Sequence, residues 1–251
     1  MSHDDDGENP APRSGALTYA VMTAEARRQA ALPRPTARRR READVRTVRW
    51  WRIRTLRSIS GLSTLVTALV FACLVLVICL LVGSSIMPDA WYPLVVSVGL
   101  ALYGAYRLRG VPGATARTLA SAACAPGPVP KRYALVYDPP WGGIALLVLF
   151  PADGGDDVQP DAVLELMPLP EPWLRFPGAS KLPADLPVEP AGNLELRGAR
   201  DGLPMGIPWI DGQAYWPKRS YGPDDLMGGE GRALILRLLA DATAEADSID
   251  L

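Results

Sequence analysis

Side chains able to perform acid–base or nucleophilic chemistry are few in this sequence and are poorly spaced for it. The single histidine, His3, lies in a polar terminal segment, so histidine catalysis and histidine–metal sites are not expected in a folded part. Ser180 and Lys181 are adjacent, and adjacent side chains in an extended segment point to opposite sides. The acidic run DGGDD, residues 153–157, lacks calcium-loop spacing and is typical of a hairpin turn. We therefore expect no catalytic, cofactor-binding or metal-binding residues.

One enzymatic alternative stays open, a membrane-tethered hydrolase that uses carboxylates such as Asp138 or Glu165. It would need a cluster of carboxylates in an apolar pocket, because burial is what moves a carboxyl pKa into a catalytic range. The sequence alone does not show such a cluster. A non-enzymatic function is therefore the first expectation.

Arginine is concentrated immediately before a long uncharged stretch. Residues 38–57 contain nine arginines, and residues 58–88 contain no charged side chain. This pattern is typical of a topology signal that also contacts anionic lipid, whereas nucleic-acid binding would need a basic folded domain with base-stacking aromatic residues. We expect a headgroup and topology role for Arg38, Arg39, Arg40, Arg41, Arg46, Arg49, Trp50, Trp51, Arg52, Arg54, Arg57, Arg107 and Arg109.

Two uncharged stretches predict membrane-spanning helices. At 1.5 Å per residue, Leu62–Val82 is long enough to cross a hydrocarbon layer of about 30 Å. Residues 90–106 are at the short end of the spanning range, and an interfacial or re-entrant segment is the alternative. Between the stretches the only charge is Asp89, while basic residues flank their other ends. The positive-inside rule then places both termini in the cytoplasm and the protein in the cell membrane.

Small residues recur at four-residue spacing along both predicted spans. Such stripes let helices approach closely, either within one chain or between chains. The alternative is that Ala and Ser are simply abundant in this sequence. The predicted packing positions are Ser60, Thr64, Ala68, Ala72, Ser97, Ala101 and Ala105.

After residue 130 the sequence changes to short apolar runs separated by turn residues. IALLVLF, residues 144–150, predicts a central strand, and Asp201-Gly202 and Asp211-Gly212 are hairpin signals. About six strands in a meander, curled or closed into a barrel, should precede a helix over roughly residues 230–246. The fold class is therefore a membrane α-helical hairpin of two transmembrane helices plus a small, mostly-β cytosolic domain with a C-terminal helix.

The predicted organisation has four parts. Residues 1–44 are expected to form a disordered tail with a short helix near residues 23–32. Residues 45–107 should form a juxtamembrane helix followed by the hairpin. Residues 108–130 should be a linker, and residues 131–251 should form the β-domain. Residues 133–251 carry 19 acidic and 8 basic side chains, a balance of −11, opposite in sign to the arginine-rich segment.

These features predict a non-enzymatic membrane protein whose β-domain binds an unidentified protein partner at the inner face. Trp173 and Tyr215 are the candidate contacts, whereas Trp209 and Trp216 are expected in the core because they lie on predicted strands. The alternative function is an accessory subunit of a transport or channel assembly. Membrane lipids are expected partners, a second copy of the chain is a further candidate, and nucleic acid and cofactors are not expected.

Overall fold

The structure is a computed structural model that describes residues 17–31, 42–82, 87–137, 144–167, 186–198 and 206–249. Within these residues seven α-helices and a short 3₁₀ turn at Trp50–Arg52 are present. The helices are α1 Tyr19–Ala31, α2 Arg54–Ile59, α3 Leu62–Val82, α4 Met87–Arg109, α5 Val111–Ala123, α6 Pro223–Gly228 and α7 Glu230–Ile249. The strands are β1 Val129–Tyr137, β2 Ala145–Pro151, β3 Ala162–Leu166, β4 Ala191–Arg197, β5 Ile207–Ile210, β6 Gln213–Ala214 and β7 Pro217–Tyr221.

All seven strands form one curled antiparallel sheet, a half-barrel with the order β6-β5-β4-β1-β2-β3-β7. The residues of β2 from Ala145 to Phe150 are buried, in agreement with a strand that is apolar on both faces and paired on both edges. A simple meander is not what forms, because β4 pairs with β1 rather than with β3. The expected turn at Asp211-Gly212 is present, and both residues have positive φ, as a type I′ hairpin turn requires.

The two edges of the sheet are brought together by Tyr215 and Trp216. These residues run directly from β6, which pairs with β5, to β7, which pairs with β3. The Tyr215 N–H donates to the Pro208 carbonyl at 2.9 Å, and the Met167 N–H donates to the Trp216 carbonyl at 2.8 Å. The predicted sixth strand is thus split into two short strands, each paired with a different strand of the sheet.

The sheet buries apolar side chains on both faces. One face places residues from five strands, among them Leu135, Leu147 and Leu164, in one continuous cluster, as expected inside a curled sheet. The other face divides into two clusters. Helices α1, α6 and α7 cover β1, β2, β3 and β7, while residues 45–59 and α5 cover β5 and Trp216.

Helix α1 is part of this core although it lies in the segment expected to be a disordered tail. Met22 and Ala26 are fully buried against the sheet. The backbone N–H of Tyr137 donates to Oε1 of Gln29 at 3.0 Å, and the Tyr137 hydroxyl donates to the Gln29 carbonyl. Gln29 satisfies a strand N–H that would otherwise lack a partner in the interior, and this fixes the end of α1 against β1.

Residues 108–130 are likewise more structured than a linker, because α5 occupies most of them. Ala116, Leu119 and Ala123 of α5 are buried against Ile53, Leu56 and the β5 side chains. Residues 45–59 form a turn, the 3₁₀ turn and α2 rather than one continuous helix. Together these two segments connect the long apolar helices rigidly to the sheet.

Helices α3 and α4 pack against each other along their length and run antiparallel. The start of α3 lies beside the end of α4: Gly61 contacts Arg107, and Leu65 contacts Gly104. A guanidinium N–H of Arg107 donates to the Ile59 carbonyl at 2.8 Å. Leu62–Leu81 is apolar and long enough to cross a membrane, and Trp91–Arg109 with Val111–Ala123 passes the same test as a pair bent by 47°. The described residues therefore contain one helix that could cross a membrane. They contain two candidate spans if the bent pair is counted as a single span.

The close approach of α3 and α4 depends on Gly104. A Cβ at this position would lie 2.7 Å from the backbone nitrogen of Leu65, whereas a Cβ at Gly99 would meet nothing within 4 Å. We expect Gly104→Ala to destabilise the helix pair by about 1–3 kcal/mol through overpacking, and Gly99→Ala to be neutral or slightly stabilising. Unfolding midpoints of the two variants in mild detergent check this, and equal midpoints would contradict the packing described here.

Candidate interaction surfaces

The segment before α2 is attached to the sheet by one carboxylate. Glu42 accepts hydrogen bonds from the backbone N–H and hydroxyl of Thr55 on one oxygen, at 2.8 and 2.7 Å, and from the indole N–H of Trp216 on the other, at 2.8 Å. Thr55 and Trp216 are both buried. A charged acceptor shared by three donors is a strong local connection, and it joins residues 42–56 to the link between β6 and β7.

Next to this connection two arginines stack on the buried indole of Trp209. The guanidinium of Arg46 lies 4.4 Å from the ring centroid and that of Arg197 lies 5.4 Å from it. Arg46 also forms an ion pair with Asp44 at 2.8 Å, and this hydrogen bond lowers the pKa of Asp44 below its ordinary value. Trp209 and Trp216 are 4% and 6% exposed, as their predicted strand positions suggested.

A cavity of about 330 Å³ lies between residues 42–45 and the hairpin turn at Asp211-Gly212. Three carboxylates border it, those of Glu42, Asp44 and Asp211, together with Gln213 and Trp216. The described residues that line it include no Lys or Arg, so acidic side chains predominate at the rim, and Arg46 pairs with one of them, Asp44, from outside the lining. Such a cavity suits a cationic or hydrogen-bond-donating group more than an anion.

The region beside the meeting point of α3 and α4 has the opposite charge. Residues 45–61 and 105–125, here called the arginine layer, contain eight arginines and no Asp or Glu. Arg49, Arg52, Arg57, Arg109 and Arg117 are exposed. Arg49 stacks on Trp51 at 5.0 Å, and Trp51 itself is 39% exposed.

A groove of about 550 Å³ opens between the turn at residues 45–50 and α5 within this layer. Its walls are mostly apolar, including Val45, Trp50 and Ala120. The polar side chains in it are Arg117, Ser121 and Cys124. The Cys124 thiol contacts the Val45 carbonyl at 3.7 Å, which joins the two walls at one end.

The carboxylates considered for hydrolysis do not form a cluster in the described part of the chain. Glu165 is buried and forms an ion pair with Lys218, the residue at the bulge of β7. Asp138 lies outside the described residues. Among those residues no group of three or more His, Cys, Asp and Glu side chains is arranged to hold a metal ion. Burial raises the pKa of Tyr133, which lies inside the sheet, above its ordinary range.

The predicted contact residues fall in different environments. Tyr215 is half-buried against the cluster inside the sheet, and Trp173 and Arg38–Arg41 lie outside the described residues. Of the small residues predicted to pack, Ser60, Ala68 and Ser97 are buried, and Thr64, Ala72, Ala101 and Ala105 are half-buried.

Sequence reasoning missed Glu42. The signal that could have found it is a carboxylate directly after four consecutive arginines. Such a carboxylate either pairs with these arginines or accepts hydrogen bonds from another part of the chain. Neither a family model, nor a curated protein, nor a solved structure matches this chain. Its function is therefore inferred from the surfaces described above.

Proposed function

We propose that this chain is a non-enzymatic multi-pass membrane protein whose β-domain binds a protein partner at the inner face of the cell membrane. In this proposal α3 and α4 form a two-helix transmembrane hairpin and both termini lie in the cytoplasm. The apolar, largely exposed outer faces of α3 and α4 support the hairpin, because such faces suit lipid. The arginine layer at their joined ends supports the orientation through the positive-inside rule.

The observation that carries the partner proposal is the acidic cavity bordered by Glu42, Asp44 and Asp211. It lies on a domain whose residues 133–251 carry a net charge of −11. Charge complementarity then favours a partner that inserts a basic or amide-bearing side chain. The membrane helices would keep that partner close to the inner leaflet.

A photo-crosslinking amino acid at Gln213 tests this surface in the full-length protein. Gln213 is on the cavity rim and half-exposed. Met227 on α6 is 74% exposed and does not line the cavity, so it provides the matched control position. We expect a discrete crosslinked protein from position 213 only. Crosslinks of equal yield to the same proteins from both positions would contradict the proposal.

The orientation can be tested with single cysteines. Cys124, retained alone after replacement of Cys73 and Cys79, is exposed in the arginine layer, and a cysteine replacing Ser85 in a cysteine-free background marks the segment between α3 and α4. We expect a membrane-impermeant maleimide to label position 85 in intact cells and to label Cys124 only after the membrane is opened. The reverse result would place the β-domain outside the cell.

The alternative function, an accessory subunit of a transport or channel assembly, has weaker support. It needs a helix face free to bind other membrane helices, but α3 and α4 pack against each other, and Ala68 of α3 and Ser97 of α4 are buried. Large exposed residues such as Leu81 and Leu102, 81% and 66% exposed, remain available and contact lipid equally well. If the full-length protein kept membrane partners in mild detergent after Asp44→Lys had abolished the crosslink from position 213, this alternative would be favoured.

A further inference from the structure

We propose that the groove between residues 45–50 and α5 binds the headgroup of one anionic phospholipid. This inference rests on the membrane placement proposed above, but it is independent of the protein partner. The phosphate would bind Arg117 and Ser121, and the glycerol and the upper part of an acyl chain would lie along Val45, Trp50 and Ala120.

The position of the groove along the chain supports this occupant. Arg117 is six residues beyond the start of α5, about 9 Å along the helix axis. Because α5 is bent by 47° from α4, Arg117 lies only about 6 Å beyond the end of α4 along the direction of α4. The headgroup region is about 5–8 Å thick on each side of a bilayer, so an upright α4 places Arg117 at headgroup depth.

The chemistry of the groove also fits a phospholipid. Arg117 and Ser121 are four residues apart on α5 and therefore lie on one face of the helix, and both are exposed. One guanidinium N–H of Arg117 donates to the Leu108 carbonyl at 3.2 Å, and its other N–H groups and the Ser121 hydroxyl provide donors for phosphate oxygens. The indole of Trp50 is a side chain typical of the membrane interface. The surrounding layer has eight arginines and no Asp or Glu of its own, and although Arg46 pairs with the neighbouring Asp44, this excess of arginine attracts anions.

The apolar walls distinguish this groove from a basic surface that binds any anion. A free phosphate would use only Arg117 and Ser121, and it would leave Val45, Trp50 and Ala120 without contact. A phospholipid fills the polar and the apolar part together. We therefore expect the groove to prefer phosphatidylglycerol over phosphatidylcholine and over inorganic phosphate.

The test uses the full-length protein in nanodiscs of phosphatidylcholine and phosphatidylglycerol, with retained lipid measured by native mass spectrometry after transfer to detergent. Arg117→Gln should reduce retained phosphatidylglycerol about tenfold, which corresponds to about 1.4 kcal/mol of lost binding free energy. Arg109→Gln is the matched control, because it removes the same charge from an exposed position of the same layer outside the groove. We expect this control to retain the lipid.

If both variants lost equal amounts of retained phosphatidylglycerol, the lipid would be held by diffuse attraction to the arginine layer, and the proposed site would be overturned. Equal retention of phosphatidylcholine and phosphatidylglycerol would overturn its selectivity for an anion, and full displacement by inorganic phosphate alone would show a phosphate site without a lipid. If the protein failed to enter nanodiscs at all, the membrane placement would fail and this site with it. Entry without selective retention would overturn only the lipid site.

Discussion

Replacement of Glu42 by alanine is expected to lower the free energy of unfolding of the β-domain by about 2–4 kcal/mol. The change leaves three donors without their acceptor, namely the N–H and hydroxyl of Thr55 and the indole N–H of Trp216. Thr55 is 2% exposed and Trp216 is 6% exposed, so water cannot replace the lost bonds without local opening. The expected result is release of residues 42–56 from the sheet before global unfolding.

Two measurements on the full-length protein in detergent check this expectation. The first is the unfolding midpoint, and the second is the rate of tryptic cleavage after Arg52 and Arg54, which should rise when the segment is released. Asp44→Ala is the matched control, because Asp44 is two residues away but pairs only with the exposed Arg46. We expect this control to change stability by less than about 1 kcal/mol. Similar effects of both substitutions would show that Glu42 does not join the segment to the sheet.

Sequence periodicity predicted those elements whose partners are close in sequence or that are apolar on every face. The long apolar helix α3, the buried strand β2, the hairpin at Asp211-Gly212 and helix α7 were all expected. In α7, Ile235 and Leu238 are buried at the predicted spacing. Each of these patterns is local, so a single stretch of sequence carries the information.

Contacts between distant segments could not be predicted in the same way. The bond from Trp216 to Glu42 spans 174 positions, and the bond from Tyr137 to Gln29 spans 108. Glu42 and Gln29 are polar residues that look like parts of a solvated segment, and only the three-dimensional arrangement gives them buried partners. Likewise, the six-strand pattern gave no sign that Tyr215 and Trp216 change pairing partners from β5 to β3. The acidic cavity and the arginine-layer groove both lie at such long-range contacts.

The second large effect is expected at Met22, in the helix that the sequence assigned to a tail. Met22 is fully buried among Val148, Phe150 and other residues of the helix-covered face of the sheet. We expect Met22→Ala to destabilise the β-domain by about 2–5 kcal/mol, from lost apolar burial and the cavity that remains. Val21→Ala is the matched control on the same helix, since Val21 is 39% exposed, and it should have little effect. Unfolding of both full-length variants by denaturant in detergent provides the comparison.

The comparison of Met22→Ala with Val21→Ala also decides which part of the chain forms one folding unit. If Met22→Ala has the large effect and Val21→Ala does not, α1 is an integral layer of the sheet, and a fragment starting at residue 131 would expose the face that Leu17, Met22 and Ala26 cover. Equal and small effects would instead make α1 dispensable, and such a fragment would then fold alone. The first outcome means that the β-domain is assembled from residues on both sides of the apolar helix pair. The partner binding and the membrane insertion proposed here would then depend on one continuous structure, because α1 precedes the pair and the sheet follows it.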